Sequence, residues 1–246
     1  MAKKLGVTIV PYDKYLSLKS RAQGYFWLKM IQLLPEGTRE RCFALASQSK
    51  SQIGQDLFVL ATLGFPKEGY FVEFGATDGV SLSNSFLLAQ EFGWTGILAE
   101  PARNWHAALT ANRADAIIDH RCVWKESGAQ LDFTEAREGE RSGATALMPL
   151  SWRLGGSTYP VQTISLSELL EVHGAPTVID YLSIDTEGSE HDILSVFDFS
   201  RFRFRVITVE HNYGPQRELI YKLLTSKGYR RVHEEVSRWD DWYVSN

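Results

Sequence analysis

The chain has 246 residues, 44% of them hydrophobic and 12% aromatic, enough to bury one large core. A mean hydropathy of −0.20 argues against an integral membrane protein, and no apolar run approaches the roughly 20 residues a spanning helix needs. The formal net charge of −4 is too mild to indicate a nucleic-acid partner.

The start, Met1 to Val10, has a basic pair but breaks at Pro11, so its apolar segment is too short for a secretory leader. Cys42 and Cys122 stand far apart in no metal-ligand spacing, and reduced thiols in a cytoplasmic setting are the default expectation. Residues 14–34 carry apolar positions at helical spacing, stopped by Pro35-Glu36-Gly37, and a second helix is expected over Arg39–Ala46. The polar run Ser47 to Ser51 reads as a linker, dividing an N-terminal helical extension (1–49) from the domain proper (50–246).

From Tyr70 onward, strand and helix patterns alternate. Strands are expected at Tyr70–Phe74, Gly96–Ala99, Ile117–Val123, Val178–Ile184 and Val206–Val209, with helices at Asn84–Phe92, Asn104–Asn112, Ser165–Val172, Glu190–Phe197 and Arg217–Ser226. Leu131–Thr134 reads as a short extended piece, and Glu135–Tyr159 as a long loop. Tyr229–Val236 and Trp242–Val244, joined by a short connection, fit an antiparallel hairpin. The pattern calls for a mostly parallel α/β sheet covered on both faces, with a terminal antiparallel strand.

In open α/β sheets ligands bind beyond the carboxyl ends of the strands. After the first strand comes Glu73-Phe74-Gly75-Ala76-Thr77-Asp78-Gly79, a Glu-x-Gly-x-x-x-Gly spacing. A dinucleotide pyrophosphate wants Gly-x-Gly-x-x-Gly and would be repelled by the acidic side chains. The loop suits a cationic, phosphate-free nucleoside, and S-adenosylmethionine is the obvious candidate. Glu100, followed by Pro101, lies 21 residues beyond Gly79; it suits a cap on the next helix or a pair with Arg103, but the joint spacing favours acceptance of ribose hydroxyls. Cys122 and its apolar neighbours after the third strand could pack near an adenine ring.

The fourth strand ends in Asp185-Thr186-Glu187-Gly188-Ser189-Glu190, where Ser189 and Asp192 also fit a helix cap. The fifth ends in Glu210-His211. Asp185, Glu210 and His211 together suit a hard divalent ion such as Mg²⁺ or Mn²⁺; equally, Glu210 or His211 suits a metal-free general base. Arg141, Trp152, Arg153 and Tyr159 are of the types that stack on sugar faces.

Five segments in this order (Ser51 to Asp56, Gly69 to Gly79, Leu82 to Ser85, Gly93 to Pro101, Leu182 to Glu190) make residues 50–246 resemble the FkbM-type methyltransferases. The resemblance implies a Rossmann-like class I fold with a seven-stranded sheet and S-adenosylmethionine as cofactor, seated by Glu73, Gly75, Ala76, Asp78, Gly79, Ser83, Asn84, Glu100, Pro101, Cys122 and Asp185. It implies O-methylation of a hydroxyl, on a sugar of a glycan or glycosylated metabolite, or on a non-sugar natural product. More distant macrocin-type relatives hold a divalent ion with acids where Asp185 and Glu210 fall; His211 departs from that pattern. Residues 1–49 lie outside the resemblance, as a lid, a substrate platform or a contact in a homodimer. A nicotinamide-dependent oxidoreductase and a non-catalytic nucleoside-binding domain are the rival classes.

Overall fold

The structure is a computed structural model and describes residues 24–246; the first ten positions of the helix expected over 14–34, residues 14–23, lie outside the described residues. Residues 24–33 are helical (α1), followed by α2 (Arg39–Leu45) and α3 (Gln55–Leu63). Then come β1 (Tyr70–Phe74), α4 (Phe86–Phe92), β2 (Thr95–Ala99), α5 (His106–Asn112), β3 (Ala116–Asp119), β4 (Cys122–Trp124), β5 (Gln130–Glu135) and β6 (Gly143–Ala144). The chain continues through α6 (Leu150–Arg153), β7 (Ser157–Ser165), α7 (Leu166–Val172), β8 (Val178–Ile184), α8 (Glu190–Ser195), β9 (Arg203–Glu210), α9 (Gln216–Ser226), β10 (Tyr229–Val232) and β11 (Asp240–Ser245). Among the described residues no helix is long and apolar enough to cross a membrane.

Seven strands form one sheet in the order β10-β11-β9-β8-β1-β2-β3. Neighbours from β9 to β3 pair in parallel, while β11 inserts antiparallel between β9 and β10. This is the Rossmann-like, mostly parallel sheet with one antiparallel final strand that the alternation demands. Strand alternation sends Phe71, Tyr181, Val206 and Trp242 to one face, where they pack with Leu57 and Phe58 of α3. Val72, Leu182, Ile184, Ile207 and Tyr243 go to the other, against Leu169, Ile193 and Ile220 from α7, α8 and α9. Each such fully buried side chain contributes about 1.5–3 kcal/mol of transfer free energy.

Residues 24–46 share the first of these cores through Phe26, Met30, Leu34 and Cys42. The Arg238 guanidinium lies 3.8 Å from the Phe26 ring centre, and Lys29 donates to the Glu235 carbonyl. The segment read as a linker is equally bonded: the Ser49 and Ser51 hydroxyls both donate to Asp56 Oδ1 at 2.8 Å.

Two expectations are corrected. The single strand over Ile117–Val123 divides at His120-Arg121, because Asp119 Oδ1 accepts the Arg121 backbone N–H at 2.9 Å and turns the chain. β3 stays in the main sheet, whereas β4 joins a second sheet of order β4-β7-β5-β6. The expected long loop contains β6, α6 and the first part of β7, a nine-residue strand hidden by its polar residues and Pro160.

Candidate functional site

The carboxyl ends of β1, β2 and β8, together with the second sheet and the start of β11, enclose a cleft of about 1060 Å³, its open mouth included. Its first wall is organised by Glu73. This buried carboxylate accepts the Asn84 N–H on Oε1 at 2.7 Å and the Ser83 hydroxyl on Oε2 at 3.1 Å, with the Ser85 hydroxyl donating to the same oxygen. Behind the serines lies Arg113, whose side chain is 0% exposed. It donates to the Ser85 hydroxyl (3.1 Å) and the Gly79 carbonyl (3.0 Å) and pairs with Asp115 at 2.9 Å. A loop built from small polar residues is thereby fixed by one carboxylate from the front and one guanidinium from the back.

Gly75, at φ +71°, has no room for a Cβ, which would overlap the Asp185 carbonyl. The next turn is tied to β2: the Thr77 N–H donates to Glu100 Oε2 at 2.8 Å, and the Ala102 N–H to Oε1 at 2.7 Å. Burial pushes the Glu100 acid up to about 7 despite these two donors. One donor per oxygen leaves each oxygen able to accept again from the cleft.

Of the expected cofactor residues, Glu73, Gly75, Asn84, Glu100, Pro101, Cys122 and Asp185 line the cleft. Ala76 instead packs into the core. Asp78 is consumed by its own turn, accepting the Val80 and Ser81 N–H groups at 2.8 and 2.7 Å. Gly79 faces Leu109 and Arg113, and Ser83 serves Glu73. His120 stacks on His106, ring centres 3.6 Å apart.

The second wall is acidic. Asp185 and Glu187 line the cleft, and Glu210 is buried beside them outside the lining; each of the three offers a carboxylate oxygen within 4.8 Å of the others. Burial, then mutual repulsion, raises Glu187 to about 8 and drives Glu210 far above the carboxylate range; Asp185, also raised by burial, is held at about 6 by its hydrogen bond with Glu210. Glu190, rather than the expected Ser189–Asp192 cap, shapes this loop: its Oε1 accepts from the Thr186 N–H and hydroxyl and the Gly188 N–H. Ser189 makes no cap bond to the helix.

His211 does not join the cluster. Its Nδ1 accepts the Tyr213 N–H at 2.9 Å, so Nε2 carries the proton and faces Asp241 at 3.6 Å, away from the carboxylates. The tight turn after β9 aims the imidazole at the buried Asp241, and Glu187 takes the third place instead.

The expected substrate residues also stand outside the cleft lining. Arg141 pairs with Glu138 (3.0 Å) and covers Trp152, while the Tyr159 hydroxyl donates to Glu135 at 2.8 Å. Arg153, exposed on α6, is not part of the lining either. The second sheet and the turn before β6 reach the cleft through Phe133, Gly139, Glu140, Ser142, Gly143 and Ala144.

Among the lining residues not singled out from the sequence are Gln52, Gln55, Trp239 and Asp240. Gln55 and Asp240 are both buried and joined at 2.8 Å. Burial, with Asp185 nearby, raises the Asp240 acid to about 8. The available signal was the Gln52 to Asp56 segment and an acid at the beginning of the antiparallel strand.

No protein of curated function matches the chain. Its fold is similar to that of methyltransferase FkbM from Methylobacillus flagellatus, at 12% identity and a TM-score of 0.48, over 89% of this chain and 58% of that one. A TehB-like S-adenosylmethionine-dependent methyltransferase from Corynebacterium glutamicum (8% identity, TM-score 0.42) is matched over 86% of this chain and 97% of its own. A precorrin-6y C5,15-methyltransferase from Geobacter metallireducens (12%, 0.40) is matched over 72% and 71%. This chain therefore spans less than two thirds of the first of these proteins. The family description "Methyltransferase FkbM domain" matches residues 73–231, about two thirds of the sequence. The chain belongs to the FkbM methyltransferase family.

Proposed function

We propose that the protein is an S-adenosylmethionine-dependent O-methyltransferase acting on a sugar hydroxyl of a glycan or glycosylated metabolite. The observation that carries this reading is one cleft with two unlike ends: a glycine turn between two buried carboxylates, and a wall of acids beyond it. The first end fits a cationic nucleoside. Gly75 lets the backbone come close, Glu100 offers free lone pairs to ribose hydroxyls, and Asn84 Oδ1 is buried with no hydrogen-bond partner, suited to an ammonium group. Cys122, Val123 and Phe133 supply an apolar surface for a base.

Methyl transfer is an in-line displacement: a carbon–oxygen bond forms as the sulfur–carbon bond breaks, and sulfur keeps the electron pair. Holding the acceptor oxygen on that axis accounts for much of the acceleration. Asp185, whose backbone abuts Gly75, joins the two ends, so a substrate held by the acidic wall faces the methyl group. The acceptor's proton passes to a carboxylate of that wall.

Asp185, Glu187 and Glu210 also fit a hard divalent ion, since all three donors are oxygens and their crowding is relieved by a positive charge. Such an ion would acidify a bound hydroxyl. Calorimetry with S-adenosylmethionine, S-adenosylhomocysteine and NAD tests the cofactor: both adenosyl ligands are expected to bind and NAD not to. Binding of NAD alone would overturn the reading in favour of an oxidoreductase.

A further inference from the structure

Resting on that reading, we infer that Gln52, Gln55, Trp239 and Asp240 form the acceptor subsite, and that it is built for a saturated polyol ring presenting neighbouring hydroxyls. All four line the same cleft as the cofactor turn. Gln55 is locked in orientation: its Oε1 accepts the Ile53 N–H at 3.1 Å, so its amide nitrogen must be the donor to Asp240 Oδ2 at 2.8 Å. That amide keeps one further N–H. Asp240 Oδ1 has no hydrogen bond among the described residues and is not sealed from the cleft, although the residue as a whole is only 6% exposed.

The pair therefore presents the remaining Gln55 N–H beside Asp240 Oδ1, which donates to a hydroxyl while the acid holds its proton and accepts from one once ionised. This is the complement of two adjacent hydroxyls, each of which donates once and accepts once. Asp240 is the register partner of Glu210 across β9 and β11, which sets the subsite against the acidic wall where transfer occurs. Half-buried Trp239, next in sequence, adds an aromatic of the kind that covers the apolar face of a sugar. A flat catechol also carries adjacent hydroxyls, but it calls for apolar walls on both sides. Here the partners beside Trp239 are two amides and a carboxylate.

The test uses the full chain with methyl-labelled S-adenosylmethionine and an extract of the native host. Label is expected in a product from which acid hydrolysis releases a methylated monosaccharide. With that acceptor in hand, Asp240→Asn and Gln52→Ala are expected to raise its KM about tenfold or more, the loss of a hydrogen bond to a charged or buried partner. Their affinity for S-adenosylhomocysteine and their thermal midpoints are expected to stay at wild-type values, which separates a subsite from a structural role. An unchanged acceptor KM in both variants overturns this inference alone; a labelled product without a sugar overturns it together with the sugar acceptor proposed above, and leaves methyl transfer standing. Absence of any label transfer while S-adenosylhomocysteine binds overturns the methyltransferase reading beneath it, and the inference with it.

Discussion

Gly75 and Asp185 face each other so closely that a Cβ at position 75 would overlap the Asp185 carbonyl oxygen. The contact joins the turn after β1 to the end of β8, and neither side can give way, because the Asp185 carbonyl is backbone. Gly75→Ala also forces a side chain into φ +71°. The conformational strain alone is about 1–3 kcal/mol, and the overlap adds to it. The expected outcome is a lowered thermal midpoint together with loss of S-adenosylhomocysteine binding, read by differential scanning fluorimetry and calorimetry. Wild-type affinity in the variant would mean that the turn does not approach a ligand.

Arg113 acts at one remove from the cleft. Its guanidinium is enclosed, and each of its arms holds part of the loop that presents Asn84: the Gly79 carbonyl, the Ser85 hydroxyl and, through that serine, Glu73. Arg113→Met keeps the aliphatic bulk but leaves these acceptors and Asp115 without their donor. Breaking a buried pair from one side costs about 3–5 kcal/mol; Asp115 is part-exposed, so the lower end is expected. Urea unfolding measures that loss, and cofactor affinity is expected to fall with it.

The acids of the cleft also set a pH dependence. Asp185 (about 6), Glu100 (about 7), Glu187 and Asp240 (both about 8) hold their protons more tightly in the folded chain than unfolded. Between the unfolded value near 4 and these folded values the native state binds more protons, so their contribution is present at low pH and lost as pH rises. Asp119 and Asp241 have the opposite sign. Burial would raise them, but Arg121 and His173 around the first, and His211 and Arg217 around the second, bring both down to about 2. Their contribution is lost below about pH 4. The ligand-free protein is therefore expected to have its highest thermal midpoint near pH 5, falling by about 5 °C or more towards pH 8.5. A midpoint that rises steadily from pH 5 to 8.5 would contradict the acidic wall.

Much of this site was legible from Glu73, Gly75, Glu100, Asp185 and Glu210, because all stand at or just past the carboxyl ends of parallel strands, and such ends gather on one edge of the sheet. Asp240 escaped for the same reason. It stands at the beginning of an antiparallel strand, and reversing the direction brings a strand's start to the edge where its neighbours end. His211 misled because a strand's alternation stops at its last residue: the bond from the Tyr213 N–H to Nδ1 turns the ring away, and no periodicity encodes that. Arg141 and Tyr159 find partners in Glu138 and Glu135, within the second sheet and its adjoining turn. That sheet depends on long-range pairing between β5 and β7, to which a polar strand with a proline gives no local signal.

Glu210 separates the structural from the functional part of the acidic wall. Burial and the adjacent Asp185 raise its acid so far that it is protonated in the free protein at neutral pH, donating to Asp185. Glu210→Gln replaces a neutral donor with another of the same shape, so the free protein is expected to keep its thermal midpoint within about 2 °C. Binding a divalent ion demands the opposite state, since a ligating carboxylate must first release its proton. Mg²⁺ or Mn²⁺ is therefore expected to raise the wild-type midpoint, more at pH 8 than at pH 6. An ion at one hundred times its Kd stabilises by about 2.7 kcal/mol. The Glu210→Gln variant, able to offer only an amide, is expected to lose most of that gain while remaining folded. An equal gain in variant and wild type would remove Glu210 from the ion's ligands, and no gain in either, with methyl transfer intact in EDTA, would leave the acidic wall to act on the acceptor's proton alone.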